Sequence, residues 1–218
     1  MENAIPEDSC TVCSRAAARL TAAALVADCQ PPVSDLIDAD GFRANVGIIL
    51  MHHNEVFLGR RAGGRGWQFP QGGVRHGESL EQALYRELEE EIGVAKADVS
   101  LLGQTERWLR YRLPARYLRR NQQPLCIGQK QRWFLLHLRH GDAKFDFTRT
   151  AEPEFDQFRW TEYWEPVKEV IYFKRAVYAR ALTELVDLAF PGGKPPPHPQ
   201  WWDRMTARRR REAPAPAD

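Results

Sequence analysis

The chain has 218 residues, 43% of them hydrophobic and 28% charged, with a formal net charge of +2. That supports one domain with flanking segments and excludes a chain that is disordered throughout. No apolar run nears the ~18 residues of a membrane span, and the acidic start ahead of the apolar stretch 20–27 is wrong for a secretory signal, so a cytoplasmic protein is expected.

Residues 1–40 are Ala-rich and then turn-like, with one helix expected over 14–28, and they read as an N-terminal extension. Cys10 and Cys13 have the spacing of half a zinc site, but no second pair follows. The four cysteines therefore read as reduced thiols. Residues 41–190 hold most of the aromatic and β-branched residues and form the expected globular domain. Strands are expected at 45–50 and 55–59 across the His52-His53-Asn54 turn, then at 131–138 and 158–160. The spacing predicts a helix over 79–91, with Ser79 and Gln82 as a capping box, Leu80, Leu84 and Leu88 as its apolar stripe, and Gly93 as its C-cap. A second helix is expected over 173–189. Intermixed strands and helices imply an α/β layered domain. Residues 191–218 contain seven of the fifteen prolines and the run Arg208 to Arg211, so a disordered tail is expected. With six positive and three negative residues, that tail leaves the body at −1, which is not a general nucleic-acid coat.

The first helix carries a pattern that does not favour its own stability. Glu87, Glu90 and Glu91 share one face, with Glu89 beside them, and like charges at these spacings cost about 0.2–0.5 kcal/mol per pair. A solvated acidic face is the ordinary reading of a Glu run. Here the face adjoins the Gly72-Gly73 turn, Glu78 and Arg86, and carboxylates on a rigid helix beside a glycine loop suit a hard divalent cation.

Gly72, five residues, Glu78, seven residues and then Arg86-Glu87-Leu88-Glu89-Glu90-Glu91-Ile92-Gly93-Val94 match the Nudix box at every specified position. Chance would produce such a match on the order of 10⁻⁷ of the time in a chain of this length. The chain thus resembles the Nudix hydrolases. Through the segments GFRANVG, WQFPQGG, RWLRYRLP, CIGQKQRWFLL, PEFDQFRW and YWEPVKEVIYFKR it is similar to their bacterial RNA 5′-pyrophosphohydrolase branch, over about 41–183.

The resemblance implies an α/β/α sandwich around a mixed sheet, with the box as a loop-helix-loop. It implies that Glu87, Glu90 and Glu91 bind the metal, Mg²⁺ first and Mn²⁺ second, that Glu154 is a further ligand or base, and that Glu78 and Arg86 brace the box. Arg43, Arg61, Gln129, Phe173 and Lys174 match positions that face the triphosphate or the first nucleotides. Each also has a plainer reading: Phe173 as core, Lys174 as solvated charge, Arg61 as half of a surface pair. Tyr111 reads as structural. The implied activity removes pyrophosphate from the 5′ end of triphosphorylated RNA, leaving a monophosphate and promoting mRNA decay, with diphosphorylated RNA as a further partner. Dinucleoside polyphosphates such as diadenosine tetraphosphate are the alternative substrates.

Overall fold

Two long strands with both faces buried organise the core. The computed structural model describes residues 36–207 except 122 and 142. The helix expected at 14–28, the Cys10–Cys13 pair and the Arg208 to Arg211 run lie outside the described residues. The strands are β1 (Phe42–His52), β2 (Glu55–Arg61), β3 (Trp67–Gln68), β4 (Gln71–Gly73), β5 (Val99–Gln104), β6 (Leu109–Arg112), β7 (Gly128–Leu138) and β8 (Phe155–Glu162). The helices are α1 (Leu80–Ile92), α2 (Pro166–Glu169), α3 (Arg175–Ala189) and α4 (Trp202–Ala207).

Along β1, Ala44, Val46, Ile48 and Leu50 enter one apolar cluster while Ile49 and Met51 enter the other. β7 divides in the same way, with Phe134, Leu136 and Leu138 opposite Trp133 and Leu135. This period of two places a hydrophobic layer on each side of the sheet. α1 covers one layer through Ala83, Leu84, Leu88 and Ile92, and α3 covers the other through Val177, Tyr178, Ala181, Leu182 and Leu185. β1 and β7 pair in parallel, and the other strand pairs are antiparallel. The α/β/α sandwich on a mixed sheet is as expected.

Ser79 caps α1: its Oγ accepts the Gln82 N–H at 3.1 Å, and Gln82 Oε1 accepts the Ser79 N–H at 2.8 Å. Gly93 closes the helix at φ 72°, a left-handed conformation that favours glycine. Leu80 is only half-buried, so the buried stripe is carried by Ala83, Leu84, Leu88 and Ile92. α3 starts two residues later than expected, because Tyr172–Lys174 form a 3₁₀ turn that tucks Phe173 and Lys174 inward.

Two expected boundaries differ. The domain begins before residue 41: Ile37 bridges to Arg43, Asp38 accepts the Phe42 N–H at 2.9 Å, and Asp38 pairs with Lys130 at 2.9 Å. At the other end, residues 191–207 are not a disordered tail. Trp202 is buried against Trp164 and stacks on His198 at 4.4 Å, while the Trp164 indole N–H donates to the Pro196 carbonyl at 2.8 Å. Prolines lower the entropy lost in fixing this segment, and aromatic burial outweighs its polar composition. Trp202→Ala is therefore expected to lower stability by about 2 kcal/mol, read as a shift of the urea midpoint. An unchanged midpoint would show that the segment adds nothing to the fold.

Candidate active site

β4 and α1 build the site from a glycine pair and a row of glutamates. A methyl group at Gly72 would overlap the Glu87 carboxylate, and one at Gly73 would overlap the Arg43 guanidinium. The two glycines thus let a buried anion and a cation pass close to the backbone of β4. Gln71, one residue earlier, donates its backbone N–H to Glu91 at 2.9 Å.

Arg86 is the hub of the box. Its Nε and Nη2 donate to the two Glu78 oxygens at 2.7 and 2.8 Å, its Nη1 donates to Glu87 at 2.6 Å and Glu90 at 3.0 Å, and Nη2 also reaches the Gly73 carbonyl at 2.8 Å. Burial works against its charge, yet the bonds to Glu78, Glu87 and Glu90 hold its pKa above the ordinary value. The Arg86 hydrogen bond keeps Glu78 below the usual carboxylate range. Arg75 adds a contact to Glu90 at 3.2 Å.

The other glutamates are poorly compensated. Burial raises the Glu87 carboxyl, with Arg86 opposing. Glu91 is pushed well above its usual range by burial and then by the Glu87 charge, and only the Gln71 N–H and Lys174 counter this. Such anions are what a bound cation relieves. Every one of these donors is a carboxylate oxygen, the hard ligand that Mg²⁺ and similar ions take. With the space left by Gly72, the residues fit a divalent ion. Among the described residues no three acidic, imidazole or thiol side chains converge as they stand. Arg86 draws Glu87 and Glu90 to itself, and Arg61 draws Glu154.

Across from the helix, Glu154 Oε1 accepts from Arg61 Nε at 2.9 Å and from Gln68 Nε2 at 3.0 Å. Gln68 Oε1 accepts from Lys174 Nζ at 3.1 Å. Lys174 is thus not a solvated charge. It is buried, and burial followed by the neighbouring Arg61 lowers its pKa to about 8. Arg61 and Glu154 do form the pair that the plainer reading gave, and both side chains are about one-third exposed at the site's edge.

Phe173 is 8% exposed, and its ring lies against Tyr111, Tyr117 and Tyr172. That contact set supports the core reading. Gln129 Oε1 accepts from the Tyr111 hydroxyl at 2.6 Å, so Tyr111 holds a candidate contact residue in place. The structure therefore brings Arg43, Glu78, Arg86, Glu87, Glu90 and Glu91 together around β4 and α1, and Arg61, Glu154 and Lys174 around Gln68. Sequence reasoning did not single out Gln68 or Gln71 as site residues. The signal was present: both are amides inside the aromatic and apolar segment WQFPQGG.

Comparisons with known proteins agree with this architecture. A family model described as NUDIX domain matches residues 41–185. An RNA pyrophosphohydrolase of Alkalilimnicola ehrlichii is 53% identical over 173 residues, covering 79% of this chain and 96% of that protein. One from Vibrio cholerae is 52% identical over 157 residues, covering 72% and 91%. Among solved structures, the E. coli dihydroneopterin triphosphate pyrophosphohydrolase is similar in fold at a TM-score of 0.52 and 19% identity, over 64% of this chain and 94% of that one. With the box complete and Glu87 packed against Gly72, the chain belongs to the Nudix hydrolase family.

Proposed function

We propose that this Nudix hydrolase removes pyrophosphate, at once or as phosphates in steps, from triphosphorylated RNA 5′ ends, and a single phosphate from diphosphorylated ones. Water attacks phosphorus, the phosphoanhydride bond breaks, and a 5′ monophosphate remains. The carrying observation is the identity of about half to proteins named RNA pyrophosphohydrolase across most of both chains. The reaction asks for positioning and charge neutralisation rather than a covalent nucleophile.

Nudix hydrolases need divalent metal ions. In this reading Glu87, Glu90 and Glu91, with Glu154 as a further ligand or base, hold Mg²⁺, which supplies neutralisation of phosphate oxygens and a more acidic water. Mn²⁺ is the alternative. Arg86 and Glu78 keep the helix face aligned with β4. Arg43, Arg61 and Lys174 offer cations to the phosphates, and Gln129 offers an amide to the terminal nucleotide. Among the described residues no helix is long and apolar enough to cross a membrane. A cytoplasmic location, where such RNA ends arise, belongs to the same reading.

The test is a side-by-side rate measurement on 5′-triphosphorylated RNA and diadenosine tetraphosphate. Clearly faster pyrophosphate release from RNA supports the proposal, and the reverse order assigns the chain to dinucleoside polyphosphates. A pH profile examines Lys174. Its charge is present below about pH 8 and lost above it, so attraction for phosphate declines as the pH rises through that value. The value of kcat/KM, which reports the free enzyme, is expected to fall severalfold between about pH 7 and 9. Lys174→Arg keeps its charge over that range and should flatten the profile. A profile identical in the two proteins would remove Lys174 from phosphate binding.

A further inference from the structure

The aromatic surface open to a base beside this site is not the Phe173 ring. Tyr172 is 50% exposed and Tyr117 39%, against 8% for Phe173. Both tyrosines pack on Phe173, at 5.4 and 5.1 Å between ring centroids. The Arg116 guanidinium lies 5.0 Å from the Tyr117 ring and 5.7 Å from the Tyr172 ring, joining them into one patch. Exposed apolar residues scattered singly are ordinary, whereas rings joined into one patch with a polar rim mark an interaction site.

The patch lies next to the candidate active site. Phe173 links it to Lys174, which is bonded to Gln68, and Gln68 is bonded to Glu154. The segment that carries Tyr117 and Arg116 is basic in sequence. Residues 109–120 contain five arginines and no acidic residue. Arg110 pairs with Asp40 at 3.3 Å, while Arg112, Arg116, Arg119 and Arg120 have no carboxylate partner among the described residues. Aromatic faces interleaved with guanidinium groups suit an unpaired nucleic-acid strand, since bases stack on the rings and phosphates meet the charges. The segment's charge disfavours a basic partner, and the open aromatic faces suit bases better than they suit water.

We infer that Tyr117, Tyr172 and Arg116 form a stacking platform for single-stranded RNA downstream of the 5′ end, beyond the nucleotide held at the catalytic helix. The inference rests on the proposed RNA reading and adds to it a preference for longer strands. Tyr117 and Tyr172 are then binding residues whose contribution depends on how far the strand extends.

The experiment compares a triphosphorylated dinucleotide with an octanucleotide of unstructured sequence. In the parent, kcat/KM is expected to favour the octanucleotide. In a Tyr117→Leu, Tyr172→Leu variant, which keeps apolar cover over Phe173, that ratio should fall about tenfold, within the range for losing one or two stacked bases. Binding of a 5′-monophosphate octanucleotide, read by fluorescence anisotropy without turnover, should weaken to a similar degree. Tyr117→Phe, Tyr172→Phe should restore both, because the stacking face returns. Arg116→Gln should reduce the salt dependence of that binding. An unchanged ratio with unchanged anisotropy, in a parent that hydrolyses RNA, overturns the platform and leaves the tyrosines as a face for a protein partner or a second copy. A parent that hydrolyses no triphosphorylated RNA overturns the functional reading itself, and the platform with it.

Discussion

Glu91→Gln is expected to raise the melting temperature of the metal-free protein while lowering turnover at least about a hundredfold. The two effects have one cause. In the folded chain burial, and then the charge of Glu87, hold the Glu91 carboxyl well above the usual range. Between the ordinary glutamate value and that raised value, the folded state keeps a proton that the unfolded chain has released. Stability therefore falls as the pH rises through this window. Glutamine has no such slope, and its side-chain carbonyl still accepts the Gln71 N–H that Glu91 accepts at 2.9 Å. The parent should lose melting temperature between mildly acidic and neutral pH more steeply than the variant. Added Mg²⁺ should raise the parent's melting temperature, because it binds only the folded state, and should raise the variant's less. Turnover near the parent level would remove Glu91 from the metal set. A variant no more stable than the parent in EDTA would show that this carboxylate is not a burden on the apo fold.

The catalytic helix could be read from the chain because its signals are local. Ser79, Gln82 and Gly93 act within a few residues of one another, and a capping box looks the same in a sequence as in a fold. β1 and β7 were also legible, since continuous apolar runs mark strands buried on both faces. β5 and β6 were not. β5 leaves Leu101 and Leu102 exposed at an edge of the sheet, and β6 alternates apolar and arginine residues over only four positions. The tail misled for a different reason. Its prolines and charges describe a segment that cannot make a core of its own, whereas Trp202 needs only a place on the core beside Trp164.

The site divides along the same line. The grouping of Glu87, Glu90 and Glu91 follows from helical spacing, while the partners of Lys174 and Glu154 come from β2 and β3, far away in the chain. No periodicity links Gln68 to residue 174. The burial of Phe173 likewise depends on Tyr111 and Tyr117, which β6 and the 3₁₀ turn after it bring across the sheet.

Arg86→Met is expected to destabilise the fold by about 3 kcal/mol, the scale for stranding a buried charge by removing its partner. Arg86 is 16% exposed at its side chain, and the partners Glu78 and Glu87 are 12% and 11% exposed. Methionine fills much of the same volume, so the loss measures charge and hydrogen bonding more than packing. Glu78 would lose both of its Arg86 bonds, Glu87 one, Glu90 one, and the Gly73 carbonyl one. Glu90 counts for little here, because it keeps Arg75 and is partly exposed. The charge left on Glu78 dominates, since Arg86 is what holds that carboxyl below its usual range. A second variant, Glu78→Gln with Arg86→Met, should therefore recover about 1 kcal/mol or more relative to Arg86→Met alone, and the double-mutant cycle isolates the pair. Urea unfolding at neutral pH measures all four proteins. A loss below about 1 kcal/mol for Arg86→Met would place this network among exposed ion pairs, which contribute little, and would leave the alignment of Glu87 and Glu90 to the helix alone.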